Sequence, residues 1–322
     1  MAEKRKSAKK RVAGKPTPTK VRAKKTTKKQ AKTEAKAQIH LLAPLPNVFK
    51  LTGQVFSIFR SFWRPLLGIV VVYLVLNIIF ASGLSNLTSA VDDIKSNLNN
   101  NTGATAHPLT KAISGFGTLV GSAGVSGSTS GSILQSVIFV LESLVIIWAL
   151  RQLLAGKVIA VKEAWYHSMY PLVPFLLIIF VIILELLPIT VGAALLTAVL
   201  TSAVSSLTLA SWLSWLFFMF LAGWSFYMLS SSIFALYIVT LPEMLPRDAL
   251  RSAKNLVKYR RWAVIGRVIY LPFFVLFAMA IIIVPLILVA SFLVAPVFYL
   301  LGMLAILFIH SYLYSLYRSL LA

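Results

Sequence analysis

Two kinds of segment alternate along this chain. Near-continuous apolar runs of about 20 residues, the length a hydrocarbon core requires, are separated by shorter stretches in which apolar positions recur every three or four residues among lysines and arginines. In the first such stretch Val48, Leu51, Val55, Phe59 and Phe62 fall at helical spacing, with Lys50, Gln54, Ser57 and Ser61 between them. Asn47 stands where an N-cap belongs. The pattern predicts a lead-in helix at the membrane interface, where Trp63 and Arg64 suit a headgroup belt, and Pro65 opens the first span. Further spans are predicted at about 132–151, 170–199, 212–240, 263–289 and 291–317, with the first at 65–84. The expected fold is therefore all-α: a polytopic bundle of six transmembrane helices with interfacial amphipathic helices.

Residues 189–210 are apolar enough to tempt a seventh span, but charge argues against it. Another crossing would separate Arg151, Lys157 and Lys162 from the basic cluster at 247–261, and positive residues favour one side. The segment is read as a kinked extension of span three followed by an outer loop. Residues 85–131 are rich in Ser, Asn, Gly and Thr and are expected to form an external loop. That loop carries amphipathic helix potential around 84–98 and a flexible Gly-rich linker at 121–131.

The densest amphipathic stretch is 245–262, LPRDALRSAKNLVKYRRW. As a helix it places Ala249, Leu250, Ala253, Leu256 and Val257 on one face. Arg247, Arg251, Lys254, Lys258 and Arg261 fall on the other and Arg260 lies beside them, the pattern of a helix lying along a membrane surface. These six basic residues are the expected contact for a surface or partner. Lys162-Glu163-Ala164 before span three parallels Arg247-Asp248-Ala249 before span five, and Trp63, Trp165 and Trp262 each stand near the start of a pair of spans. A threefold repeat of lead-in helix plus hairpin follows, over 47–155, 156–242 and 243–322.

Composition agrees. The chain is 58% hydrophobic and 12% charged with mean hydropathy +0.85, where soluble domains carry roughly 25% charged residues. It has no cysteine, which removes disulfides, zinc–thiolate sites and thiol catalysis. The net charge of +22 is uneven, since residues 1–37 hold fifteen Lys and Arg against Glu3 and Glu34. This tail, bounded at 1–46, lacks the apolar surface to offset its ordering entropy and is read as disordered and cytoplasmic. It is not a signal peptide, because the first apolar run starts too late. The tail can attract anionic lipid headgroups, contact nucleic acid or the ribosome, or simply hold the N-terminus on the cytoplasmic side. No aromatic residue interleaves its lysines for base stacking, which favours the lipid and topogenic readings.

Gly156-Lys157, Lys162-Glu163-Ala164-Trp165 and the run Leu245-Pro246-Arg247-Asp248-Ala249-Leu250-Arg251-Ser252-Ala253 before Trp262 resemble a known family. It is the six-helix membrane domain that precedes some bacterial glycerophosphodiester phosphodiesterases, together with related stand-alone bacterial membrane proteins. The likeness covers about 47–322, and its motifs are short and degenerate. It implies a six-span fold in the bacterial plasma membrane, and the count of spans with the placement of charge puts both termini in the cytoplasm. It implies no activity, because nothing here stands for the His, Glu and Asp cluster of the phosphodiesterase domain.

Charges inside a span are rare and each one calls for a role. Glu142 lies ten residues from either end of its predicted span, about 15 Å in at 1.5 Å per residue. Gln135 shares its face, and Asn77 and His310 are the other strongly polar groups at depth. One reading makes Glu142 a proton or cation site with Asn77 or His310 as partner. The other has an uncharged Glu142 hydrogen-bonded to Asn77, Gln135 or a serine and fixing helix packing, and the absence of an Arg or Lys at matching depth favours it. Glu185 is expected to be hydrated near the outer end, His310 to be a packed interfacial histidine, and Arg267 to snorkel. No phosphate loop, Ser–His–Asp set or HExxH occurs, so neither an enzyme nor a cofactor is expected. The function read from the chain is a membrane organiser or adaptor whose tail and 245–262 helix contact anionic lipid or an acidic partner. The alternative is a transporter or proton-coupled carrier centred on Glu142.

Overall fold

The computed structural model describes residues 45–81, 88, 91–92, 94, 96, 108–122, 129–192, 194–196, 198–199 and 207–321. The tail of residues 1–46, except its last two positions, and most of the 84–98 segment lie outside them. All regular structure among the described residues is helical. The longer elements are α1 (Val48–Ala81), α2 (Pro108–Ser122), α3 (Thr129–Leu154), α4 (Val161–Ser168), α5 (Leu172–Leu187), α6 (Leu207–Val239), α7 (Pro246–Val257), α8 (Arg261–Val289) and α9 (Val294–Leu321). Six helices are long and apolar enough to cross a membrane, those containing α1, α3, α5, α6, α8 and α9. This is a multi-pass membrane protein.

Prolines shape these elements where they remove a backbone donor. The lead-in helix and first span form one element that breaks at Phe62, whose φ of −123° and ψ of 29° are not helical. Pro65 has no N–H to offer the carbonyl of Ser61, and its ring crowds that turn. At the end of α5, Pro188 widens the helix into a π-turn, Pro188–Gly192. The helix then continues, so the third candidate span runs from Leu172 to Leu196. Among the described residues, 189–192 and 194–196 extend the third helix.

The segment expected as an external loop is in part helical. Residues 108–122 form α2, with Pro108 at the first helical position, and the span helix α3 starts at Thr129, inside the stretch read as a flexible linker. Ala112 and Leu119 of α2 bury against Met279, Ile283 and Ile287 of α8 and Phe298 of α9, with Phe116 edge-on to Phe298. Packing on that hairpin outweighs the poor helix propensity of the segment's glycines and serines.

α3 is the central helix. Half of its apolar window is buried inside the protein, against 11–33% for the other five. Leu144, Val145, Ile146, Ile147, Ala149 and Leu150 are all buried, as expected of a helix that is apolar on every side. It is packed by α1, α9, α4 and α5. Its end is closed by Gly156 at φ 78°, where the amides of Gly156 and Lys157 return to the carbonyls of Leu153 and Gln152.

α6 and α7 form an antiparallel hairpin. α6 has 33 residues, about 50 Å, and so is longer than the ~30 Å hydrocarbon core. Large apolar side chains from Leu209 to Met228 are exposed, whereas Ser230, Phe234, Ala235, Tyr237 and Val239 are covered by protein. α7 starts seven residues after α6 ends and runs back along it, so that the Arg261 guanidinium reaches the Tyr227 ring, 4.4 Å from its centroid. The amphipathic face of α7 is as the sequence places it, with Ala249, Ala253 and Val257 fully buried. What covers that face is α6, with smaller contributions from α5 and α9, where the sequence reading had put a membrane surface.

α4 closes on α1 through a glycine. An ideal Cβ on Gly68 would lie 2.7 Å from Val161 Cγ2, too close for any side chain. Gly68→Ala is expected to destabilise the protein by about 1–3 kcal/mol through this overlap. Thermal unfolding of the detergent-purified protein measures it, and adding Val161→Ala should recover most of the loss. A double variant no better than the single would show that the approach of the two helices is not what the glycine serves.

Candidate functional site

Adjacent residues of α3 present polar groups to two different neighbours. Glu142 is 1% exposed and Ser143 is 3% exposed. On the Glu142 side, α1 contributes Tyr73 and Asn77, one helical turn apart and both buried. Asn77 hydrogen-bonds Tyr73, and Tyr73 interacts electrostatically with Glu142. Tyr299 of α9 joins the same group through Tyr73. Three polar atoms here, Glu142 Oε2, Asn77 Oδ1 and the Tyr299 hydroxyl, are buried with no hydrogen-bond partner among the described residues.

The Ser143 side is fully paired. The Ser143 hydroxyl donates to the Phe139 carbonyl at 2.8 Å, which leaves its oxygen to accept from His310 Nε2 at 3.1 Å. His310 Nδ1 then accepts from the Tyr237 hydroxyl at 3.2 Å. This donor order assigns the Nε2–H tautomer from the network. Tyr237 also stacks on Tyr317 with centroids 6.1 Å apart, and it lies 6.0 Å from Tyr314. Arg151, at the end of α3, donates to the Tyr237 carbonyl at 2.9 Å and to the Thr240 carbonyl at 2.6 Å, and also to the Thr240 hydroxyl. A cation there completes the carbonyls that the end of α6 leaves unpaired.

The structure therefore divides the four intramembrane candidates. Glu142 and Asn77 fall in one cluster through Tyr73. His310 is buried as part of the Ser143–Tyr237 network, bonded at both ring nitrogens. Gln135, two turns from Glu142 on α3, is only half-buried. Two other expectations change. Glu185 is half-buried and accepts a hydrogen bond from Ser232 of α6 at 2.6 Å through Oε1, while its Oε2 has no protein partner among the described residues. Arg267 donates to the carbonyls of Pro46 (3.0 Å), Leu45 (3.2 Å) and Ala263 (2.6 Å), tying the start of α1 to α8 where snorkelling had been expected.

Of the six basic candidates, Arg247, Arg251, Lys254 and Lys258 are exposed on α7, and Arg260 and Arg261 are half-buried at the turn into α8. Tyr259 and Trp262 beside them are exposed. A cleft of about 500 Å³ opens at the α1 kink, lined by Trp63, Arg64, Pro65, Lys157 and Ile159 among others. Tyr73, Tyr237, Tyr299, Ser143 and Arg151 escaped the sequence reading as site residues. The recurrence Tyr73–Asn77 at one-turn spacing was the available signal for one pair. Comparison with protein-family models, curated proteins and solved structures found no match to this chain.

Proposed function

We propose that this multi-pass membrane protein is a non-enzymatic organiser that gathers anionic lipid around the basic end of its bundle. The observation that carries the reading is the α6–α7 hairpin. It holds α7 by its apolar face, so Arg247, Arg251, Lys254 and Lys258 stand exposed on a helix that cannot roll or bury them. Tyr259 and Trp262 follow at the level where α6 passes from lipid-exposed to protein-covered, as interfacial anchors do. Arg64 and Lys157 at the cleft and the fifteen Lys and Arg of residues 1–37 carry charge of the same sign. Each basic group near an anionic surface contributes about 1 kcal/mol, falling as salt rises. By the positive-side preference this end, and both chain termini, lie in the cytoplasm of a bacterium, with the bundle in its plasma membrane.

The test replaces Arg247, Arg251, Lys254 and Lys258 with Gln together and counts phosphatidylglycerol retained after purification, by native mass spectrometry. The variant should retain fewer anionic lipids than the parent and lose the salt dependence of that retention. Equal retention in the folded variant would sink the proposal. Binding of an acidic soluble partner to the parent in lipid-free detergent would replace the lipid with a protein.

A further inference from the structure

The Glu142 cluster is not needed for the lipid-gathering role, and its chemistry points elsewhere. We propose that Glu142, Asn77, Tyr73 and Tyr299 form a buried site for a single dehydrated monovalent cation of about sodium's size. Four features of the cluster carry this. The groups stand on α1, α3 and α9, which pack on one another, with Tyr73 linked to Asn77, Glu142 and Tyr299, and α3 is the most enclosed helix of the bundle. Every side-chain group they can turn toward a cation is an oxygen: a carboxylate, an amide carbonyl and two phenol hydroxyls, the donor set that hard cations take. Three of those oxygens lack any partner among the described residues, although burying an unpaired polar atom costs about 1–3 kcal/mol. Glu142 is the one formally charged member of the set, and it is 1% exposed.

The charge count selects the ion. A carboxylate held away from water must be neutralised, and a single carboxylate with neutral oxygens balances a monovalent ion without leaving excess charge. A divalent ion would leave one positive charge buried among phenols and an amide. Nitrogen-preferring metals would be drawn to His310, but both nitrogens of that ring are committed to Tyr237 and Ser143. Asn77 supplies orientation as well as a ligand, because its bond to Tyr73 leaves Oδ1 free for the cation.

Full-length protein in detergent is melted in sodium chloride and in choline chloride at equal ionic strength and mildly alkaline pH. Anything that binds only the folded state raises the melting temperature with ligand concentration. Sodium is expected to give a saturable rise that choline does not, and Glu142→Gln to abolish it. Asn77→Ala should shift the half-saturating sodium concentration upward about tenfold, the worth of one neutral ligand. Identical melting in the two salts, or a sodium rise that persists in Glu142→Gln, overturns the site. So does stabilisation by acid with no sodium dependence, which would show that a proton alone satisfies the carboxyl. Should Glu142→Gln fail to fold, calorimetric titration of sodium chloride into the parent and into Tyr299→Phe decides. No binding heat in the parent, or unchanged affinity in Tyr299→Phe, overturns the site equally.

Discussion

Replacing Arg151 with Ala should cost about 2–4 kcal/mol of stability, and Arg151→Lys should restore only part of it. The guanidinium fork spans two helices, reaching the carbonyls of Tyr237 and Thr240 and the Thr240 hydroxyl from the end of α3. Hydrogen bonds from a charged donor are worth about 1.5–3 kcal/mol each, and truncation takes the donor from the Thr240 carbonyl, while the Tyr237 carbonyl keeps the Thr240 hydroxyl. Lysine brings the charge but not the planar fork, so it cannot serve several acceptors at fixed angles. The measurement is the midpoint of thermal unfolding in detergent. A loss under about 0.5 kcal/mol, the range of ordinary surface substitutions, would mean that water replaces Arg151 and that the contact is peripheral.

Tyr237→Ala should be at least as damaging, by about 3–5 kcal/mol, the cost of removing a large buried aromatic side chain. Tyr237 is fully buried and bridges α6 to α9 in two ways. Its ring stacks on Tyr317 and lies against Tyr314, and its hydroxyl meets His310. Tyr237→Phe separates the two contributions. Keeping the ring and removing the hydroxyl should cost about 1–2 kcal/mol, the loss of one hydrogen bond and of a partner for His310 Nδ1. Equal losses in the two variants would show that the hydroxyl, and not the stacked ring, secures the joint between the helices.

The chain discloses its spans more readily than its site, and the residues show why. Pro188 and the charge distribution kept 189–196 attached to the third helix, because proline geometry and charge placement are local properties. The helix at 108–122 went unseen since five of its fifteen residues are Ser or Gly, while the partners of its Ala112 and Leu119 come from 279–298. Ala249, Ala253 and Val257 were correctly put on one face, but periodicity says only that a face is apolar, not whether lipid or α6 covers it. Glu142 and Asn77 stand out because polar atoms are conspicuous in an apolar run. Tyr73, Tyr237 and Tyr299 do not, since a tyrosine suits interface, core and ligand shell alike. Arg151 was legible as the stop to a span; its grip on the end of another helix depends on tertiary approach alone.

The position of α3 has a consequence for how the protein is made. α3 is second among the spanning helices to leave the ribosome, whereas α9, which covers part of it, is last. Until residues 299–317 are synthesised, Glu142 and Ser143 sit in the bilayer without Tyr299 or His310, and the first helix lacks the phenylalanine contacts that Phe308 makes with Phe56 and Phe59. The nascent chain must carry that exposed polarity through four further crossings, a span of synthesis in which a membrane chaperone or protease has its target. Closure of the polar groups on α3 therefore waits for the final helix.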